Sequence, residues 1–304
     1  MLNRQTEGLL LIGVAAVGYA IMPILTKFVY VDPAMQPMDV LTWRFLFATP
    51  LVWFALRALR TPSPAEPTPR GTMLLLGLIF SGVAACAFFA LDRIPASLYT
   101  VLLYTYPAVV ALISILTGER LSTRAWIALG LTLIGVVLTV PLDDIGSAAF
   151  DTFGLGLAFF NGVLYAIYLV ISGRALRGKT AVAHASAWVI TGALLPMLVL
   201  VPFSGLNLPS VPGAWAGLIA IAIFSTVMPL FAMLGGTARL GAARASILST
   251  FEPVMTVVLA VLLLPDTERL TLLQVAGGAL ILFSVILLQL PAIRRARAVP
   301  AAGD

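Results

Sequence analysis

The chain has 304 residues, of which 61% are hydrophobic and 10% charged, with a mean hydropathy of +1.06. Charged residues normally make up about a quarter of a water-soluble domain, so a soluble globular chain is excluded. The net charge of +5 could suit a nucleic-acid partner, but the basic residues lie in short segments between apolar stretches, so no such partner is expected.

Stretches close to the ~20 apolar residues that cross a bilayer run over 8–28, 38–57, 71–91, 96–117 and 123–141. They continue over 152–172, 182–203, 212–235, 242–264 and 270–290. The spacing predicts ten transmembrane helices. Pro23, Pro107, Pro229 and Pro253 interrupt four of them and should leave kinks and freed carbonyls. Between the second and third stretches, Pro62, Pro64, Pro67 and Pro69 predict a stiff loop. The first stretch is too well matched by the sixth to be a signal peptide, and it is expected to stay in the mature protein with no separate targeting segment.

That match is general. Thr6, Gly8, Tyr19-Ala20-Ile21, Pro50, Gly71, Arg93 and Pro107 recur 146 residues later as Thr152, Gly154, Tyr165-Ala166-Ile167, Pro196, Gly217, Arg239 and Pro253. Five helices per copy send the second copy into the membrane from the opposite side. The expected fold class is an all-α membrane protein, with ten transmembrane helices as two inverted five-helix repeats around a central cavity. The repeats cover 8–140 and 152–290, followed by a cytoplasmic tail over 291–304. Such repeats mark secondary transporters, whose solute site lies between them at the midplane.

Charge sets the orientation. With the amino terminus inside, inner segments hold Arg4, Arg57, Arg60, Arg70, Arg120, Arg124, Arg174, Arg177, Lys179, Arg239, Arg244, Arg294, Arg295 and Arg297. Those fourteen face only Lys27, Arg93 and Arg269 outside, where Asp32, Asp39, Asp92, Asp143, Asp144, Asp151, Asp266 and Glu268 collect. Both termini are therefore expected in the cytoplasm of an inner (plasma) membrane protein.

Several chemistries are poorly provided for. Gly173-Arg174-Ala175-Leu176-Arg177-Gly178-Lys179-Thr180 fits a P-loop pattern, yet a membrane span precedes it where the phosphate cradle needs a strand. His184 is the only histidine and reads as interfacial, and Cys86, the only cysteine, reads as a small buried hydrophobe. No metal-ligand cluster or activated serine is spelled out, so neither a metal, a cofactor nor an enzyme activity is expected.

Polar groups inside the hydrocarbon carry the remaining signal. Glu252 near mid-depth and Arg44 in the outer half of the second span would each cost about 2.5–3.5 kcal/mol to insert, which makes them functional candidates. Arg44 could instead snorkel to the surface, and Glu252 could be a structural hydrogen-bonding group. Tyr99, Leu103, Tyr106 and Val110 share one face of the fourth span, and their shifted partners are Ala245, Ser249, Glu252 and Thr256. Asn161, Tyr165, Tyr168 and Ser172 share a face of the sixth, matched by Ala15, Tyr19, Met22 and Thr26 in the first. Ordinary helix packing could use the same hydroxyls. As a set they predict a solute cavity lined by Tyr19, Arg44, Tyr99, Tyr106, Asn161, Tyr165, Tyr168, Ser249 and Glu252.

These residues also resemble a known pattern. Tyr106-Pro107 followed by Thr117-Gly118-Glu119-Arg120-Leu121, Gly130 and Gly135 is similar to the end of an EamA domain of the drug/metabolite transporter superfamily. Phe251-Glu252-Pro253-Val254, Glu268-Arg269-Leu270-Thr271 and Gly277-Gly278 repeat it. The resemblance implies two five-helix repeats around a cavity, a small-molecule partner such as an amino acid, and efflux rather than uptake. It also implies that Arg44 and Glu252 occupy positions where the family often has arginine and glutamate. Tyr19 and Tyr165 depart from it, since a tryptophan is common at both places. The function expected is a secondary transporter exporting a small organic metabolite by alternating access; the rival is a membrane-embedded protein that does not transport, either a lipid-modifying enzyme or a scaffold.

Overall fold

In the computed structural model of the chain, the residues described are 3–61, 69–91, 93–94, 96–118, 121–139, 151–177, 181–263 and 271–297. Their fourteen α-helices and one π-helical turn join into ten rods. The first rod is α1 (Arg4–Ala20) with α2 (Met22–Val29); α3 (Pro37–Ala58) and α4 (Arg70–Leu91) are the second and third. The fourth is α5 (Ala96–Leu103) with α6 (Tyr106–Leu116), and the fifth is α7 (Thr123–Thr139). The second repeat opens with α8 (Thr152–Ala175) and α9 (Val182–Ser204). Its eighth rod is α10 (Pro212–Ala222), the π turn Ile223–Val227 and α11 (Met228–Leu240). The ninth is α12 (Ala242–Ser249) with α13 (Phe251–Leu263), and the tenth is α14 (Leu272–Arg297).

Six rods, beginning at Arg4, Pro37, Arg70, Thr152, Val182 and Pro212, are each long and apolar enough to cross a bilayer over their described residues. Proline explains most of the breaks. Pro107 and Pro253 have no N–H to give the carbonyl four residues back, so the fourth rod breaks at Tyr104-Thr105 and the ninth at Thr250. Pro23 does the same to the first rod at Ile21. The sixth rod has Leu169 where the first has Pro23, and it runs unbroken.

The packing respects the repeat. The first rod packs on the eighth as the sixth packs on the third, and the ninth on the first as the fourth on the sixth. The second and seventh, fourth and ninth, and fifth and tenth meet their own counterparts. That exchange pattern is what two inverted copies about one axis produce. The detail matches too: a Cβ on Gly8 would meet Leu240 and Arg239, and one on Gly154 would meet Arg93 and Ile94. Each contact sits beside an ion pair, Arg239 to Glu7 at 3.2 Å and Arg93 to Asp151 at 3.1 Å. Asp151 also caps α8, accepting from the Phe153 and Gly154 amides.

Glycine brings the third and seventh rods into backbone contact. A Cβ on Gly77 would collide with the Val189 carbonyl, and one on Gly192 with the Leu74 carbonyl. Gly173 packs on Thr237 and Ala242 in the same manner, so this glycine of the P-loop-like string serves a helix contact. Gly178, Lys179 and Thr180 lie outside the described residues, as do Glu119-Arg120 and the Glu268-Arg269-Leu270 copy, most of the segment linking the repeats, and residues 298–304.

Candidate functional site

Three broken rods, the first, fourth and ninth, and three unbroken ones, the second, third and sixth, surround a cavity of about 620 Å³ bounded by both repeats. Tyr19, Met22, Pro23, Thr26, Lys27 and Tyr30 come to it from the first rod, Pro37 and Arg44 from the second, and Phe80, Val83, Ala84 and Ala87 from the third. The fourth supplies Tyr99, Leu103, Tyr104 and Tyr106, the sixth Asn161 and Tyr165, and the ninth Glu252. Lys27, Tyr30 and Pro37 are exposed and form its mouth. At the opposite end, Gly173 and Leu176, the repeat counterparts of Lys27 and Tyr30, are buried. One end is open and its symmetry mate is closed.

Seven of the nine expected residues line this space: Tyr19, Arg44, Tyr99, Tyr106, Asn161, Tyr165 and Glu252. Ser249 and Tyr168 stand one layer behind. The Ser249 hydroxyl lies 2.7 Å from that of Tyr106, which also donates to the Ser246 carbonyl at 3.4 Å, joining the fourth and ninth rods across the axis. Tyr168 is 1% exposed, stacked under Tyr165 at 6.0 Å and against Phe80 at 5.5 Å. It shares the helix face of Tyr165, but Phe80 stands between it and the cavity.

Glu252 enters in the first turn of α13, just past the break that Pro253 imposes. The Tyr104 hydroxyl hydrogen-bonds its carboxyl, and Tyr19, Tyr99, Tyr106 and Tyr165 line the same cavity. Ring contacts run from Tyr104 to Tyr106 at 5.9 Å and on to Tyr165 at 4.8 Å. Such an electron-rich wall beside a carboxylate suits a cation. Asn161 Nδ2 donates to the Tyr99 hydroxyl at 2.7 Å, while its Oδ1 is buried without a partner among the described residues.

Arg44 is the buried cation of the same cavity, only 4% exposed. Its Nε donates to Thr226 Oγ1 at 2.7 Å and its Nη2 to the Ser225 carbonyl at 3.3 Å, both in the π turn of the eighth rod. Phe45 and Phe80 lie 5.2 and 5.8 Å from its Cζ. Snorkelling is thus overruled by a buried anchor. Tyr19 lines the cavity together with both Arg44 and Glu252. Among the described residues no group of three or more His, Cys, Asp or Glu could hold a metal ion.

Reading by helix face missed Tyr104 and the third-rod wall. Tyr104 reaches the cavity because the chain breaks there and changes phase. Phe80, Val83, Ala84 and Ala87 sit in a helix apolar on every side, where no contrast marks the inward face.

A family model for EamA-like transporters matches residues 6–140 and 152–290. The chain belongs to the EamA-like transporter family. A transporter of Synechocystis sp. is 28% identical, with 94% of each chain covered, and one of Bacillus subtilis is 28% identical over 93% of each. The threonine/homoserine exporter RhtA of Escherichia coli K12 is 28% identical over 70% of this chain and 69% of its own. A solved crystal structure that is 21% identical superposes with a TM-score of 0.78 over 95% of this chain and 99% of that one, which concerns the fold alone. This EamA-like protein is therefore a multi-pass membrane transporter with a small-molecule substrate.

Proposed function

We propose that the protein exports a small amine-bearing organic acid, an amino acid or a close relative, across the inner membrane by alternating access. One observation carries this reading: a cavity bounded by both repeats is lined by one carboxylate, Glu252, one buried guanidinium, Arg44, and six tyrosines. In this reading Glu252 holds the ammonium group and Arg44 the acid group, and the cavity falls in the size range usual for small-ligand sites. The threonine/homoserine exporter among its relatives supports both the solute class and the direction. A coupling proton would compete with the amine for the same carboxylate, so proton entry from outside would displace the solute.

With both termini cytoplasmic, the mouth at Lys27, Tyr30 and Pro37 faces outward. Counterflow in proteoliposomes with an amino-acid panel tests the proposal, and at least one member should accelerate exchange. Glu252→Gln keeps the shape and removes the titrating charge. It should insert normally, transport at least tenfold more slowly and lose the pH dependence; wild-type rate and pH profile in this variant would return Glu252 to a structural role.

A further inference from the structure

The anchoring of Arg44 fixes which part of its guanidinium is free for a solute. A guanidinium carries five N–H bonds in a rigid plane. Here the side edge is spent on the π turn, Nε on Thr226 Oγ1 at 2.7 Å and Nη2 on the Ser225 carbonyl at 3.3 Å. The turn is built to receive it. Thr226 Oγ1 donates to the Ile221 carbonyl five residues back at 3.0 Å, so its hydroxyl proton is occupied and its lone pair is turned to Arg44. Both Ser225 and Thr226 are fully buried. Phe45 and Phe80 hold the guanidinium by its face.

Three N–H bonds remain, two of them on the terminal edge between Nη1 and Nη2. Among the described residues that edge meets the Met22 thioether, 3.4 Å from Nη1, and Met22 is itself a cavity residue. A thioether is a weak acceptor on a flexible stem, which a carboxylate would displace readily. We propose that this edge is a preorganised seat for one planar carboxylate, positioned by Thr226 and Ser225 and covered by Met22 until the solute arrives. The seat rests on the reading that Arg44 takes the acidic end of the solute. Two parallel N–H bonds match a carboxylate, whereas a phosphate would find one edge where its three oxygens call for several. Thr226 is a positioning residue, since it acts through Arg44 and does not line the cavity.

The test measures equilibrium binding to the full-length protein in lipid nanodiscs. The probes are threonine with threoninol and phenylalanine with phenylalaninol, each amino alcohol keeping the amine and lacking the carboxylate, together with 3-phenylpropionate, which lacks the amine. Wild type should favour the acid of each pair by about tenfold, the worth of a charge-assisted bidentate contact. Thr226→Val and Thr226→Ala should lower that preference at least threefold by weakening the acids alone, and Thr226→Ser should restore it. Unchanged amino-alcohol affinity certifies an intact cavity in each variant. Met22→Leu should not weaken acid binding, and weakening would overturn the covering role. Preference unaltered in both Thr226→Val and Thr226→Ala would overturn the seat. If Glu252→Gln leaves amino-alcohol affinity unchanged, the amine reading fails by itself, and 3-phenylpropionate then judges the Arg44 seat separately. Binding of no probe to wild type overturns both.

Discussion

Tyr106 shows how one side chain can serve both the wall and the frame. Its ring faces the cavity while its hydroxyl reaches Ser249 across the symmetry axis, tying together two helices that proline has broken. Tyr106→Phe removes that link but leaves Ser249 bonded to the Ser246 carbonyl at 3.0 Å, so no hydroxyl is orphaned. The expected loss is about 0.6–1 kcal/mol of stability, read as a small fall in the detergent melting temperature, with binding affected less than by Glu252→Gln. Gly77 and Gly192 are less forgiving. Leucine at either position would push the third and seventh rods apart at backbone level. Loss of monodisperse protein in size-exclusion chromatography is expected for both, and normal folding of either would contradict the close crossing.

At the level of elements, the loop over 205–211 is latched by two buried carboxylates, Asp32 in the turn before the second rod and Asp39 in that rod's first turn. Asp32 accepts from the Ser210 hydroxyl at 2.7 Å and from the amides of Ser210, Val211 and Ala34. Asp39 accepts from the Asn207 amide at 3.0 Å and its Nδ2 at 2.9 Å, while Trp43 Nε1 donates to the Asn207 carbonyl at 2.9 Å. The Ser210 hydroxyl bond and the three amides hold the Asp32 carboxyl below its ordinary value. A carboxyl lowered by folding stabilises fully above its unfolded value, near pH 4, and loses that contribution as pH falls through the folded one. Proteolysis at 205–211 should therefore stay slow from neutrality to about pH 5 and quicken below pH 4. Asp32→Asn should show fast cleavage at neutral pH already. Equal cleavage of wild type and variant at pH 7 would dismiss the latch.

The molecule as a whole is asymmetric in one respect that its repeats are not. The two ion-paired glycine contacts, at Gly8 and Gly154, are both formed, whereas the Lys27 end is open and the Gly173 end shut. Braces made at both ends at once do not have to break in the cycle. Under the proposed alternating access, the half of the broken first rod that lines the mouth is the expected moving part. In a Cys86→Ser background, a cysteine at position 27 should react with a membrane-impermeant thiol reagent from outside, and a cysteine at 176 should not. Solute that favours the opposite state should reverse the ranking, with inner reagent reaching 176. Reporter fusions placing the amino terminus outside would invert the assignment of both faces.

Ten spans and the inverted duplication were legible in the chain because bilayer thickness, charge bias and the 146-residue offset act on sequence directly, and seven of the residues around the cavity could be named from it. Glu252, Arg44 and the tyrosines stood out for the same reason: a polar side chain in hydrocarbon needs a cause. Tertiary structure decided the rest. Pro107 announced a break, but only the folded helix turned Tyr104 to the cavity and left Tyr168 behind Phe80. Nothing local marks Ile223–Val227 as a π turn beyond Pro229 just after it, and its carbonyl and hydroxyl gain meaning only when Arg44 arrives from 181 and 182 residues away in the chain. The third rod's inward face was invisible because lipid and protein interior are equally apolar, so hydrophobicity cannot tell which side of such a helix meets a solute.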